Sequence, residues 1–173
     1  MTRQTVVITR TSITYAIFAY CPEDGKLLTL IQQRAQWDAE KQMPQSFRGA
    51  WQPAAHGMTE SIQETLRRET TEELGNKFAQ HLEKIAPVPL ENLVEGEEIA
   101  LHCVGQVPYE TLQNVVLHNS ASASLLITEE QAREIQTLIS DHRSNGVDPQ
   151  GPIFMFPDDK ETLLRGFAHF QNA

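Results

Sequence analysis

Apolar and polar positions along the chain fall into short strand-like runs at the N-terminal end and helical stripes further on. The segments Thr5 to Arg10, Ser12 to Tyr20 and Leu27 to Gln33 are rich in Val, Ile, Thr, Leu and aromatic residues. Such residues favour a pleated, half-buried surface. Pro22 to Lys26 contains Asp24-Gly25 between the second and third runs, a strong turn signal, so these two runs are expected to form a β-hairpin. Arg34 to Gly49 has little periodicity and contains Pro44 and Gly49, so a loop is expected there. A helix is expected from near Ser61 to Gly75, with Ile62, Leu66 and Leu74 as its buried stripe and Gly75 ending it in a left-handed conformation.

Beyond that helix, Ile85 to Pro108 contains strand-like pieces, of which Ile99 to Val104 is the clearest. Two further helices are expected. Thr128 with Gln131 forms a capping box ahead of Ala132, Ile135, Leu138 and Ile139, and Asp158 with Glu161 stands in the same relation to Leu163, Leu164, Phe167 and Phe170. Both read as scaffold facing the core, with Ser144 to Pro152 as a Gly/Pro/Asn-containing loop between them. There is no internal repeat and no low-complexity segment. The pattern supports an α/β or α+β domain.

Composition narrows the class. A chain of 173 residues, 40% hydrophobic and 21% charged, suits one domain spanning 1–173 with a sizeable core. The formal net charge of -9 argues against a nucleic-acid duplex as partner, since phosphate-tracking surfaces are rich in Lys and Arg. Cys21 and Cys103 stand in no metal-binding or redox spacing and read as core thiols of a reducing compartment. The N-terminus M-T-R-Q-T-V-V lacks the apolar region of a signal peptide, and no stretch reaches the length of a membrane span. A soluble cytoplasmic protein is therefore expected, with a homodimer left open.

Within the first expected helix lies R-E-T-T-E-E-L-G, Arg68 to Gly75, with Glu60 eight residues before Arg68. At the helical step of about 100° per residue, Glu72 lies about 60° to one side of Glu69 and Glu73 about 40° to the other. One face carries all three. Like charges at these spacings disfavour a helix by a few tenths of a kcal/mol per pair, and a bound cation would relieve the repulsion. Magnesium takes hard oxygen ligands and is commonly held by one or two carboxylates together with substrate phosphates. A metal bridging a diphosphate and a water neutralises charge and lowers the water's pKa, leaving one carboxylate to take its proton. Arg68 has no lone pair to give a metal, so its expected role is to orient the glutamates, with Glu60 as its partner or as an outer ligand. The alternative is an ordinary solvated acidic face with a surface arginine.

The ordered set Glu60, Arg68, Glu69, Glu72, Glu73 and Gly75 resembles the signature of the Nudix hydrolases, G-x5-E-x7-R-E-U-x-E-E-x-G-U with U a bulky aliphatic residue. The match covers Ala54 to Asn76. Three positions depart from it: Ala54 stands for the first glycine, Thr70 for the first aliphatic residue and Asn76 for the last. The resemblance implies an α/β/α sandwich with a mixed central sheet. It also implies Mg²⁺-dependent hydrolysis, with Mn²⁺ as a substitute, of a phosphoanhydride bond in a nucleoside diphosphate linked to another moiety. It makes Glu72 and Glu73 the principal metal ligands, Glu69 the general base or a ligand beside it, and the Ala54 carbonyl a further ligand. Its partner is a small-molecule nucleotide or another diphosphate.

Other residues carry weaker signals. Gln33 and Arg34 at the end of a strand are candidate substrate contacts, and His56, in the loop leading to the helix, is a candidate phosphate ligand or acid. Trp51 could stack a base or anchor the loop by packing. Glu95, Glu97 and Glu98 precede the clearest downstream strand, and some Nudix enzymes take another metal ligand from a comparable region. Two alternatives stay open: a Nudix module that binds a nucleotide without cleaving it, and an isopentenyl-diphosphate isomerase, which shares the fold but needs a reactive cysteine near its substrate loop.

Overall fold

In a computed structural model, the protein is described over residues 10–34, 44–45, 47–50, 60–88, 94–95, 98–115, 121–137 and 154–173. The expected hairpin is present as β1 (Arg10–Tyr20) and β2 (Leu27–Arg34), joined by a turn in which Gly25 takes φ 69°. Strand β1 is central. On one side it pairs antiparallel with β2 over Ile17–Leu30 to Tyr20–Leu27, and on the other it runs parallel to β7 (Glu98–Gln106) in unbroken register from Arg10–Glu98 to Phe18–Gln106. Strand β5 (Glu83–Pro87) adds antiparallel to β7, and β8 (Ala121–Thr128) adds antiparallel to β2. The sheet is mixed.

Alternation along β1 sends its residues to two cores. Ile13, Tyr15, Ile17 and Ala19 pack with Leu66 and Leu74 of α1 (Ile62–Leu74), Phe78 of α2 (Asn76–Gln80) and Leu112 of α3 (Tyr109–Gln113). Ala16 and Phe18 pack on the opposite face with Ala132 of α4 (Glu129–Glu134) and with Leu163, Phe167 and Phe170 of α5 (Pro157–Gln171). A strand buried on both faces carries apolar residues at consecutive positions, which is why Ala16 to Ala19 reads as an unbroken run. Helices on both faces make the α/β/α sandwich. No helix among the described residues is long and apolar enough to cross a membrane.

Several elements differ from expectation. The segment read as a loop, Arg34 to Gly49, contains β3 (Pro44–Gln45) and β4 (Phe47–Ala50). Beyond the Ile17–Leu30 pair, β1 takes β4 as its partner, with Tyr15 opposite Phe47, and β2 takes β3, with Gln32 opposite Gln45. The two hairpin strands part here and their backbone groups need new partners, which Pro44 to Ala50 supplies without any apolar alternation. Strand β8 went unread because A-S-A-S-L-L-I-T opens with small residues that give no clear two-residue pattern. The short helices α2 and α3 were likewise not anticipated.

The helix expected to run on to Ile139 ends at Glu134, although its capping box of Thr128 and Gln131 forms. Ile135 leaves helical geometry at ψ 127°, and Gln136–Thr137 becomes β9, paired parallel with β10 (Phe154–Met155). Lys160 donates to the carbonyls of Arg133 and Ile135, so the carbonyls at this helix end are satisfied by α5 rather than by another turn. Helix α5 starts earlier than expected. Pro157 is its first residue, with its fixed φ suited to that position, and Asp158 lies inside the first turn rather than capping it. Glu95 pairs with Glu98 where β6 (Val94–Glu95) runs antiparallel to β7, so both backbones lie in the sheet.

Helix α5 approaches the sheet closely at Gly166, where an added Cβ would lie 2.3 Å from Cζ of Phe18 and 3.0 Å from Cγ1 of Val104. Both neighbours are fully buried, so neither can swing away. We expect Gly166→Ala to lower stability by roughly 1–3 kcal/mol through overpacking, even though alanine is the better helix former. Urea unfolding checks this, and a gain in stability would show that the helix can ride outward.

Candidate active site

The acidic helix α1 has a built start. Ser61 is its N-cap: its hydroxyl accepts from the Glu64 amide at 3.2 Å while the Glu64 carboxylate accepts from the Ser61 amide at 2.7 Å, a reciprocal capping box. The hydrogen bond from the Ser61 amide, and after it that with the Ser61 hydroxyl, hold the Glu64 carboxyl below its ordinary value. At the other end the Gly75 amide donates to the Thr71 carbonyl. Gly75 has the positive φ expected of it, 88°, but its ψ of 159° is extended rather than left-handed helical, a region essentially reserved for glycine. It turns the chain directly into α2, of which it is the N-cap.

Arg68 lies among the acids. Its Nε donates to Oε1 of Glu60 at 2.9 Å and its Nη2 reaches Oε2 of Glu60 at 3.4 Å. Its Nη1 donates to Oε1 of Glu69 at 2.6 Å and lies 3.5 Å from a carboxylate oxygen of Glu72. One guanidinium thus contacts three of the four signature glutamates. The Glu60 hydrogen bond comes first among the causes that push the Arg68 pKa further above its ordinary value, against a smaller opposing effect of burial. The three acids sit in different surroundings. The Glu69 side chain is 9% exposed and the Glu60 side chain 17%, whereas Glu72 is 58% exposed.

Glu73 is half-buried and turned toward the sheet. Its Oε2 accepts from the Tyr15 hydroxyl and from Nε2 of Gln32, each at 3.3 Å. Burial first, and then the charge of Glu73, push the Tyr15 phenol well above its ordinary pKa, so it stays protonated and able to donate. Neither Tyr15 nor Gln32 was read as part of the site. Both sit in strands whose sequence says only that one face is buried, and nothing local marks the buried polar group as facing a helix more than 40 residues away.

Gln33 and Arg34 end β2 as expected, but their side chains lie outside the described residues, as do Trp51, Ala54, His56 and Glu97, and the side chains of Glu95 and Glu98. Both cysteines are buried, and burial pushes the Cys103 thiol up to about 11, which suits a packing role rather than a nucleophile. A cavity of about 600 Å³ lies at the far end of α1, lined by Leu74, Phe78, His81, Glu110 and Val115 among others, and none of the signature glutamates borders it.

The donor set is made of carboxylate oxygens, the hard ligands that magnesium and manganese accept. Among the described residues no three acidic, histidine or cysteine side chains converge tightly enough to hold a metal ion. Arg68 holds Glu60 and Glu69, and Tyr15 and Gln32 hold one oxygen of Glu73, Oε2. The chemistry of the donors fits a hard cation, and their placement on one helix face fits shared coordination.

No family model matches the sequence, and no curated protein matches it. Solved structures do. A MutT/nudix family protein from Enterococcus faecalis is similar with a TM-score of 0.62 at 13% identity over 99% of this chain, which spans 66% of that one. The NUDIX domain of Shewanella oneidensis NrtR, complexed with ADP ribose, gives 0.56 at 14% identity, covering 98% of this chain and 91% of that one. A C. elegans Ap4A hydrolase in a binary complex gives 0.56 at 15% identity, covering 95% and 98%. The chain has the Nudix fold.

We expect Arg68→Gln to destabilise the protein by about 2 kcal/mol, since it removes charged hydrogen bonds and leaves two largely buried carboxylates without their cation. Arg68→Lys should recover only part of this, because an ammonium cannot contact Glu60 in fork geometry and reach Glu69 together. Thermal and urea unfolding check both, and full recovery by lysine would show that charge alone matters.

Proposed function

We propose that this protein is a Nudix hydrolase that cleaves a phosphoanhydride bond in a nucleoside diphosphate linked to another moiety. The observation that carries this reading is the placement of Glu69, Glu72 and Glu73 along one face of α1, organised by Arg68 and Glu60, within the Nudix fold. Structural neighbours of that fold, one complexed with ADP ribose and one an Ap4A hydrolase, support a small nucleotide as substrate.

In this reading Glu69, Glu72 and Glu73 hold Mg²⁺ or Mn²⁺, with the Ala54 carbonyl as a further ligand. The cation would supply charge neutralisation at the diphosphate and a more acidic attacking water. Glu69, held by Arg68 in a largely buried position, is the residue proposed to take the proton or to orient the water that loses it. Arg68 fixes that carboxylate in direction. Glu72, the most exposed of the three, is free of packing and can adjust its rotamer as substrate arrives. Gln33, Arg34 and His56 are proposed to contact the substrate, and the protein is proposed to work in the cytoplasm.

A second reading, a module that binds a nucleotide without cleaving it, is favoured by Ala54 in place of the signature glycine. The test is a hydrolysis screen over nucleoside triphosphates, nucleotide sugars, dinucleoside polyphosphates and pterin triphosphates with Mg²⁺ present. We expect turnover of at least one class, its loss in EDTA, and a fall in kcat of about 10²-fold or more in Glu69→Gln with little change in nucleotide affinity. Undiminished turnover in EDTA would remove the metal from the reaction. Tight binding of a nucleotide with no turnover of any class would establish the second reading.

A further inference from the structure

We infer that Tyr15 and Gln32 are positioning residues that aim the Glu73 carboxylate at the bound cation from beneath α1. The inference rests on the metal-dependent reading above. The Glu72 side chain, one residue earlier, is 58% exposed and lies beside Arg68, whereas Glu73 is half-buried and its Oε2 meets two strand side chains.

Those two side chains are placed with unusual cost. Tyr15 is 1% exposed and Gln32 4%, so each polar group has been carried into the core and needs a partner there. A carboxylate accepts only, so the groups that face it must donate: the Tyr15 O–H and the Gln32 amide N–H. Both bonds are 3.3 Å and come from neutral donors, so they orient the carboxylate while leaving it its charge.

The sheet explains how two residues from different strands meet one oxygen. Tyr15 and Gln32 lie just beyond the last β1–β2 pair, Ile17–Leu30, where the strands part and take Phe47 and Gln45 as their new partners. Leu30 and Tyr15 belong to the core beneath α1, and the two-residue period puts Gln32 on the face of Leu30. The fork in the sheet therefore presents two donors side by side under the helix. Tyr15 is braced there by stacking on Phe47, ring centroids 5.4 Å apart and 23° from parallel.

A positioning role differs from ordinary packing in what it couples to. Tyr15→Phe keeps the ring and its stacking and removes only the donor. Gln32→Met keeps the length and removes the amide. Mn²⁺ affinity, measured by calorimetry or by the spin signal of free Mn²⁺ without substrate, reads the effect directly, with urea unfolding to confirm that each variant is folded. Each single change is expected to weaken Mn²⁺ by about 10-fold, the lower end of the cost of losing a group that orients a metal ligand. In a Glu73→Gln background neither change should weaken it further. Unchanged affinity in both variants, together with weakened binding in Glu72→Gln, would overturn the positioning role while leaving the metal site standing. So would an equal loss in the wild-type and Glu73→Gln backgrounds, the mark of a merely structural role. If neither Glu72→Gln nor Glu73→Gln changes Mn²⁺ affinity, the metal reading itself falls and the inference falls with it.

Discussion

The acidic face of α1 depends on one cation. The four signature glutamates, Glu60, Glu69, Glu72 and Glu73, would repel one another and resist the partial burial that the fold imposes on Glu60 and Glu69. Arg68 answers both difficulties by meeting Glu60 with two nitrogens and Glu69 with a third. A lysine could balance the charge but could not present several fixed donors in a plane. The guanidinium also ties Glu60, the residue before the N-cap Ser61, to the helix body. Stability and the chemistry of the site are built from the same contacts.

The central strand carries that helix on one side and α5 on the other. Residues of β1 alternate between the two cores, so Tyr15 and Phe18, three residues apart, serve different helices. On the α5 side the fit is tight: Phe18 meets Phe167 edge to face at 5.1 Å, and Gly166 lets the helix backbone close onto it. A buried His102 bonds to Thr162 of the same helix at 2.7 Å, and the Thr162 hydroxyl, which donates to the Asp158 carbonyl, must then accept from the histidine. This face is anchored by packing and by the His102–Thr162 hydrogen bond. The α1 side differs in that its polar groups, Tyr15 and Gln32, are directed at a residue of the signature.

Much of this was legible from one dimension. The hairpin, the extent of α1, the capping box at Thr128 and the burial of both cysteines all follow from local rules: turn residues, apolar period, side chains that compete for backbone amides. The grouping of Glu69, Glu72 and Glu73 on one face follows from the pitch of a helix and needs no tertiary information. Where the reading went astray, the deciding contact was remote. Helix α4 stops early because Lys160 of α5 takes its last carbonyls and β10 claims the next residues, and β3 and β4 exist because β1 and β2 part and leave backbone groups to be paired.

The sequence by itself determined which residues share the acidic face and that the domain mixes helices with strands, because helical pitch and alternation are properties of neighbours along the chain. It also placed Arg68 close enough to Glu69 and Glu72 to contact both. Tertiary structure alone decided how the four acids differ: Glu60 and Glu69 drawn to a guanidinium, Glu72 left in solvent, Glu73 turned down onto Tyr15 and Gln32. The reason is physical. Burial and hydrogen-bond partners are set by which surfaces the folded sheet brings beneath the helix, and the fork that brings two buried donors to Glu73 has no signature in either strand that forms it.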